Sequence, residues 1–247
     1  MRVYRGPEGD KRIWYADQEI EAITESALGK AGYEPTSNAP STDLEMFIER
    51  HLGARLDRHA PLDPEVLGIS TFPDGEPPLV RINRDLTDAA FDGELASIGT
   101  VGRWRATLAH EAGHILLHRV LFGVDPDQAN LFGETDSAEG GVRPGPVRCL
   151  KRDFGLGHSV QDWREVQANK AMAALLMPRQ LFAVVAREYI GRAISAGAKV
   201  TSGSSAAELM ARQLASFFEV SRQAAAIRME SLGFIAEVAH PELPLVE

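Results

Sequence analysis

A five-residue sequence, HEAGH from His110 to His114, constrains the fold of this chain more than any other feature. In a helix, side chains four residues apart lie on the same face, so both imidazoles can bind one metal ion. The apolar residues on either side are Leu108, Ala109, Ile115, Leu116 and Leu117. Such a helix is largely buried, and two buried histidines without partners would cost free energy. The segment therefore predicts a buried helix with a metal site, rather than an exposed helix that carries two histidines by chance.

Zinc is the metal that this pattern favours. Histidine nitrogens are typical zinc ligands, and a zinc ion with an open position lowers the pKa of a bound water to about 7. Glu111 lies one residue round the helix from His110, so we expect it to polarise that water rather than to bind the metal. A catalytic zinc then needs a third protein ligand.

The third ligand has several candidates. Glu165 is favoured because it lies on a predicted helix with Asn169 four residues later, so one face carries a carboxylate for the metal and an amide that can orient a ligand histidine. Alternatively, Asp162 and Glu165 form a capping box at the start of that helix. Spacing alone does not decide between the two. Five further acidic residues follow the first motif: Asp125, Asp127, Glu134, Asp136 and Glu139.

Two segments resemble the hallmarks of the ImmA/IrrE family of gluzincin-like metallopeptidases. The first reads Leu-Ala-His-Glu-x-Gly-His from Leu108 to His114 and is followed by His118. The second, from Glu165 to Pro178, contains an Ala-Asn pair and ends in Leu-Leu-Met-Pro. A strand upstream, here Leu79 to Asn83, and a C-terminal helical part, here Leu214 to Gly233, also fit. The resemblance covers about two thirds of the chain, and its two motifs are specific in combination.

The resemblance implies a zinc ion held by His110, His114 and Glu165. It also implies peptide-bond hydrolysis with Glu111 as the general base. The expected substrate is a protein, such as a transcriptional repressor or an antitoxin, and the expected compartment is the cytoplasm. We therefore predict a zinc-dependent intracellular endopeptidase.

The chain departs from the commonest family pattern in three places. Ala112 stands where a bulkier apolar residue is frequent, and Met172 stands where Phe is usual. We expect neither change to affect the chemistry. The long stretch 124–161, rich in Gly, Pro and Asp, bears instead on substrate choice and access to the site.

Three other residues are weaker candidates. His118 shares the face of His110 and His114; we expect it to support a ligand or to interact with the C-terminal end of the helix dipole. His158 could face the site, although histidines in loops are usually exposed. Cys149 could bind the zinc, but a small buried apolar residue is the favoured interpretation.

Charge and cysteine content exclude several classes of protein. The chain has 26 Lys and Arg against 35 Asp and Glu, a net charge of −9, which disfavours direct binding to nucleic acid or to an anionic membrane. One cysteine permits neither an internal disulfide nor a cysteine zinc finger, and it fits a reducing cytoplasm. No apolar run approaches the roughly 20 residues of a membrane span.

The expected fold is α+β: a mostly helical zincin-like domain with a short β-sheet and a C-terminal helical lobe. We divide the chain into an N-terminal helical segment packed on the core (1–60), the zincin-like core (61–192) and the lobe (193–247). Predicted strands run from Leu67 to Phe72 and from Pro78 to Asn83. Predicted helices run from Asp17, as N-cap, to Lys30, from Leu44 to Leu52, from Thr100 or Gly102 to Gly123, from Trp163 to Met177, from Arg179 to Arg192, from Ala206 to Phe218 and from Ser221 to Leu232.

A rival function comes from another class of protein. A non-catalytic module could hold zinc structurally and sequester a protein partner without cutting it. Structural zinc sites normally have four protein ligands, whereas three are evident here. Glu111 separates the two hypotheses, because a sequestering module has no chemical need for it.

Overall fold

The structure is a computed structural model that describes residues 1–5, 11–73, 75–93, 97–122, 147–150 and 162–235. Its strands are β1 (Arg2–Arg5), β2 (Lys11–Trp14), β3 (Arg55–Ala60), β4 (Val66–Thr71), β5 (Leu79–Asn83) and β6 (Val147–Leu150). Its helices are α1 (Asp17–Ala31), α2 (Leu44–Met46), α3 (Arg84–Phe91), α4 (Ile98–His118), α5 (Trp163–Leu176), α6 (Arg179–Ser195), α7 (Ser205–Phe218) and α8 (Arg222–Ser231). A π-helical turn (Phe47–His51) follows α2, and a 3-10 turn (Arg119–Phe122) follows α4. The predicted class, a mostly helical α+β fold, is confirmed.

A mixed sheet lies against the helix that carries HEAGH. Its strand order is β3-β5-β4-β6, with β3 parallel to β5 and with β4 antiparallel to both of its neighbours. The alternate residues Gly68 and Ser70 of β4 point towards α4, where they meet Glu111. Leu67 and Ile69 point the other way and are also buried, so both faces of β4 are covered.

The start of α4 lies earlier than the sequence analysis predicted. Ser97 is the N-cap, and its hydroxyl accepts a hydrogen bond from the backbone N–H of Thr100 at 3.1 Å. The helix therefore begins at Ile98, not at Thr100 or Gly102, and it ends at His118, before the 3-10 turn, not at Gly123. A smaller correction concerns α1, whose N-cap is Ala16 while Asp17 lies in the first turn.

Four parts of the fold escaped the sequence analysis: the β1–β2 hairpin, strand β3, helix α3 and strand β6, which lies within the stretch 124–161 that was expected to be irregular. Strand β3 is mostly exposed, so it lacks the apolar alternation that identifies a half-buried strand. Helix α3 is short and follows β5 with no connecting loop. It starts because the Asn83 side chain accepts a hydrogen bond from the N–H of Asp85 at 2.9 Å.

The main hydrophobic core runs through most of the helices. It contains residues from α1 to α8, among them Leu28, Leu108, Leu175, Phe182 and Phe218. A smaller cluster joins the hairpin to α4 and α5, and it includes Ile13, Leu117 and Ala171. Residues of the three predicted segments, 1–60, 61–192 and 193–247, thus pack into one core. The boundaries between these segments stay predictions. Within the described ranges, no helix has the length and apolar character needed to cross a bilayer.

Candidate metal centre

Three potential ligand atoms meet between α4 and α5. His110 and His114 contribute Nε2 atoms that lie 3.0 Å apart. Glu165 brings Oε2 to 3.0 Å from Nε2 of His110 and Oε1 to 3.4 Å from Nε2 of His114. Both histidines are fully buried, and Glu165 is 8 % exposed. This buried group can hold a metal ion.

The spacing of these atoms fits a small ion. Four ligands at about 2.0–2.1 Å in a tetrahedron lie roughly 3.3 Å from one another, the geometry that zinc adopts with His and carboxylate ligands. The three distances between the side chains of this site fall on either side of that value. Two nitrogens and one carboxylate also match the ligand set of open zinc sites, which keep a fourth position for water.

The two ligand-bearing helices approach closely because the residues between them are small. A Cβ added at Gly113 would lie 3.0 Å from the Cβ of Ala171 and 3.1 Å from the backbone oxygen of Ala168. Any side chain at position 113 would therefore push α5 away from α4. Glycine in the interior of a helix costs about 1 kcal/mol relative to alanine, so its presence here serves this contact.

Asn169 contacts the first candidate ligand, His110. Its side-chain oxygen lies 3.0 Å from Nδ1 of His110, so Nδ1–H donates to the amide oxygen. With a metal bound, that proton assignment directs the lone pair of Nε2 to the metal. Asn169 thus lies where the sequence analysis expected a supporting amide.

His118 contacts the second ligand in a similar way. Its Nδ1 lies 3.1 Å from Nδ1 of His114, and the ring of Trp163 packs edge-on against it at 5.4 Å between centroids. His118 is fully buried, and that burial lowers the pKa of its imidazole well below the ordinary value. A neutral His118 can accept the Nδ1–H of His114, which again leaves Nε2 for the metal. Of its two predicted roles, this contact favours support of a ligand.

Glu165 does not form the capping box that the sequence left open. Asp162 caps α5 by accepting from the N–H of Arg164 at 2.9 Å, whereas the Glu165 side chain turns towards the two histidines. Burial alone would raise the pKa of this carboxyl. The hydrogen bonds to His110 and His114 outweigh burial and hold the pKa of Glu165 far below its ordinary value. The carboxyl is therefore ionised, as a metal ligand requires.

The two ligand histidines differ in their electrostatics. Burial lowers the pKa of His114 to about 4, so this imidazole is neutral near pH 7. Burial also opposes the charged form of His110, but the hydrogen bond to Glu165 and the charge of Glu111 raise the pKa of His110 above its ordinary value. A metal ion bound between them would favour the neutral form of both rings.

Glu111 lies on the sheet side of α4. It is fully buried, and burial raises the pKa of its carboxyl to about 7, against the opposing effects of His110 and of Ser70. The Ser70 hydroxyl donates a hydrogen bond to Oε2 at 2.5 Å. The other oxygen, Oε1, has no hydrogen-bond partner among the described residues. A carboxyl with a pKa near neutrality is suited to accept and return a proton.

Gly68 gives the Glu111 carboxylate its space. A Cβ added at Gly68 would lie 2.6 Å from Oε1 of Glu111 and 2.9 Å from the methyl group of Thr107. Strand β4 can therefore approach α4 closely at Gly68.

Other candidate residues lie elsewhere. The acidic residues Asp125, Asp127, Glu134, Asp136 and Glu139 lie outside the described residues, as does the rest of the stretch 124–161 except β6, His158 included. Cys149 lies in β6, and its Cα is paired in register with that of Gly68. Its role as a buried apolar residue or a ligand stays a prediction.

Sequence reasoning missed three residues of the site: Gly68, Ser70 and Gly113. The signal for Gly113 was present, because a glycine inside an apolar helix indicates close approach of another backbone. Gly68 stood inside a predicted strand, where a glycine carries the same meaning. Ser70 had no comparable signal, since its role depends on how β4 lies on α4.

Comparison with known proteins gave no assignment: no protein-family model matches the chain, and no curated protein matches it significantly.

Proposed function

We propose that the protein is a zinc-dependent endopeptidase of the ImmA/IrrE type, acting in the cytoplasm on a protein substrate. The observation that carries the proposal is the meeting of three ligand atoms from His110, His114 and Glu165 beside a buried Glu111. These four residues fit the HExxH-plus-Glu pattern of zinc peptidases.

The chemistry divides between the metal and the chain. Zinc in this site would polarise the scissile carbonyl and make water a stronger nucleophile at neutral pH. Glu111 accepts one proton from the attacking water as the water oxygen bonds to the carbonyl carbon. Glu111 then returns that proton to the peptide nitrogen as the C–N bond breaks. Asn169 and His118 keep the Nε2 atoms of both ligand histidines available throughout.

The substrate class follows from the resemblance and not from the geometry. We propose a DNA-binding repressor or an antitoxin encoded beside this gene. The net charge of −9 makes direct binding of this chain to the DNA of such a complex unfavourable, so recognition of the protein component is expected.

One observation favours the rival hypothesis of a module that sequesters its partner without cutting it. Both ligand histidines are fully buried, and burial is common in sites where zinc only stabilises the fold. Glu111 argues against that function, because a buried carboxylate with an unpartnered oxygen costs free energy that a structural site need not spend.

The test is incubation of the zinc-loaded protein with the purified candidate repressor, followed by mass spectrometry. We expect defined fragments from the wild type and none from Glu111→Gln, which should still bind zinc. Glu188→Gln is the matched control, because Glu188 is an exposed carboxylate on α6 and its loss should leave cleavage unchanged.

Two results would contradict the proposal. Fragments of the same size and rate from Glu111→Gln would show that another agent cuts the substrate. An intact partner that binds equally to wild type and Glu111→Gln would favour the sequestering module.

A further inference from the structure

Strand β4 presents two residues to Glu111, and they differ in kind. Gly68 and Ser70 are two positions apart, so they lie on the same face of the strand. Oε1 of Glu111 occupies the space that a side chain at Gly68 would fill, and Ser70 donates a hydrogen bond to Oε2 at 2.5 Å. The two oxygens of the Glu111 carboxylate therefore make different contacts with β4.

The hydrogen bond between Ser70 and Glu111 is buried, and burial strengthens it. Ser70 and Glu111 are both fully buried, so water does not compete for the Ser70 hydroxyl. Hydrogen bonds with a charged partner are stronger than neutral ones, and a low local dielectric strengthens them further. With Oε2 fixed, the carboxylate group is held against rotation about its last side-chain bond.

The second oxygen remains available. Oε1 has no hydrogen-bond partner among the described residues, although it is buried. An oxygen without a partner keeps its full capacity to accept a proton. The geometry therefore distinguishes the two oxygens: Ser70 holds Oε2, whereas Oε1 has no hydrogen-bond partner among the described residues.

We infer that Ser70 is a positioning residue that holds Glu111 through Oε2 so that Oε1 accepts the proton of the attacking water, with Gly68 providing the space. This inference rests on the proposed function, because only a peptidase needs Glu111 to accept that proton. Ser70 itself touches neither the substrate nor the metal ligands in this assignment and acts through Glu111 alone.

The kinetic test uses Ser70→Ala. We expect kcat to fall by about tenfold to a hundredfold, the range for one charge-assisted hydrogen bond, with KM and bound zinc unchanged. Thr71→Ala is the matched control, because it removes a hydroxyl from the same strand that bonds to the backbone oxygen of Leu79 at 3.4 Å. Its kcat should equal that of the wild type.

A second measurement does not depend on hydrolysis. Acetohydroxamate binds zinc and can donate a hydrogen bond to a neighbouring carboxylate, so its affinity for the zinc-loaded protein, measured by calorimetry, reports the position of Glu111. We expect Ser70→Ala to weaken binding by about tenfold, as for a lost hydrogen bond. In a Glu111→Gln background, the same substitution should have no further effect.

The outcomes separate the two proposals. A Ser70→Ala effect of the same size with and without Glu111 would overturn the positioning role, since Ser70 would then support only the fold. Coupling to Glu111 in acetohydroxamate binding, without any hydrolysis by the wild type, would sustain the role of Ser70 and contradict the peptidase. A wild type that binds no zinc would overturn both.

If Ser70→Ala fails to fold, Ser70→Cys replaces it. The thiol has nearly the same shape and is a weak donor, so it tests the hydrogen bond with little change in packing. Full kcat and full acetohydroxamate affinity in a folded Ser70→Cys protein would also count against the inference.

Discussion

The contact between α4 and α5 and the contact between α6 and α7 are built in opposite ways. Between α4 and α5 the residues are small: Gly113 lies against Ala168 and Ala171. Between α6 and α7 the residues are large, since Phe182 stacks on Phe218 with 5.5 Å between ring centroids. The first contact brings two backbones together, whereas the second fills the space between them.

The two regions also differ in whether their buried charged groups have hydrogen-bond partners. Close backbones let His110, His114 and Glu165 reach one point, and the nearby Glu111 keeps an oxygen without a partner among the described residues. The lobe also buries a charge, Arg228, but there the guanidinium is fully engaged. It pairs with Glu21 and donates to the backbone oxygen of Met177 at 3.1 and 2.8 Å. A satisfied buried charge stabilises an arrangement, whereas a buried carboxylate oxygen without a partner costs free energy that calls for an explanation.

The comparison is tested most strongly by His114→Ala. We expect this variant to retain no zinc after dialysis, because two ligands remain, and we expect added zinc to raise the unfolding temperature of the wild type alone. Elemental analysis and thermal unfolding measure both effects. His59→Ala is the control, since His59 is an exposed histidine on β3 that contacts Asp88. Full zinc content in His114→Ala would disprove the assigned ligand set.

The contact between α6 and α7 should respond in the reverse sense. Phe182 is fully buried, so Phe182→Ala should lower the free energy of unfolding by about 3–5 kcal/mol while the folded protein keeps its zinc. Urea unfolding and elemental analysis give the two values. Val184→Ala, at an exposed position on the same helix, should change stability by less than about 0.5 kcal/mol. Loss of zinc from folded Phe182→Ala would show that the two regions are not independent.

A smaller effect is expected from the residue that orients His110. Asn169→Ala removes the acceptor of the Nδ1–H of His110, so zinc affinity should fall by about tenfold to a hundredfold. Competition with a chromogenic chelator measures this affinity. Asn38→Ala, at an exposed position, should leave it unchanged. Equal zinc affinity in both variants would show that Asn169 does not support the metal site.

The smallest effects compare two glycines of α4. Gly113→Ala should destabilise the protein by about 1–3 kcal/mol and weaken zinc binding, because its Cβ would press on α5. Gly102→Ala should stabilise it by up to about 1 kcal/mol, since the nearest atoms would lie 3.7 Å away and alanine favours a helix. Urea unfolding of both variants decides the signs. Stabilisation by Gly113→Ala would mean that the contact with α5 is not close.

Much of the helical part of the fold was predictable. The apolar periodicity of α1, α4, α5, α6, α7 and α8 identifies these helices, because each buries one face or more against the same core. Strand β3 carries no such signal, since most of its side chains are exposed. The start of α4 was predicted too late because the cap at Ser97 lies before the apolar pattern begins.

The sequence by itself determined the local part of the site. Four-residue spacing on a helix puts His110 and His114 together whatever else the chain does, and it places Asn169 on the face of Glu165. The tertiary structure decided the rest: that Glu165 reaches both histidines rather than capping its own helix, and that Ser70 and Gly68 enclose Glu111. The physical reason is that helical spacing is fixed by backbone hydrogen bonds within one segment. The approach of α5 and β4 to α4 depends instead on side-chain volumes contributed by distant parts of the chain.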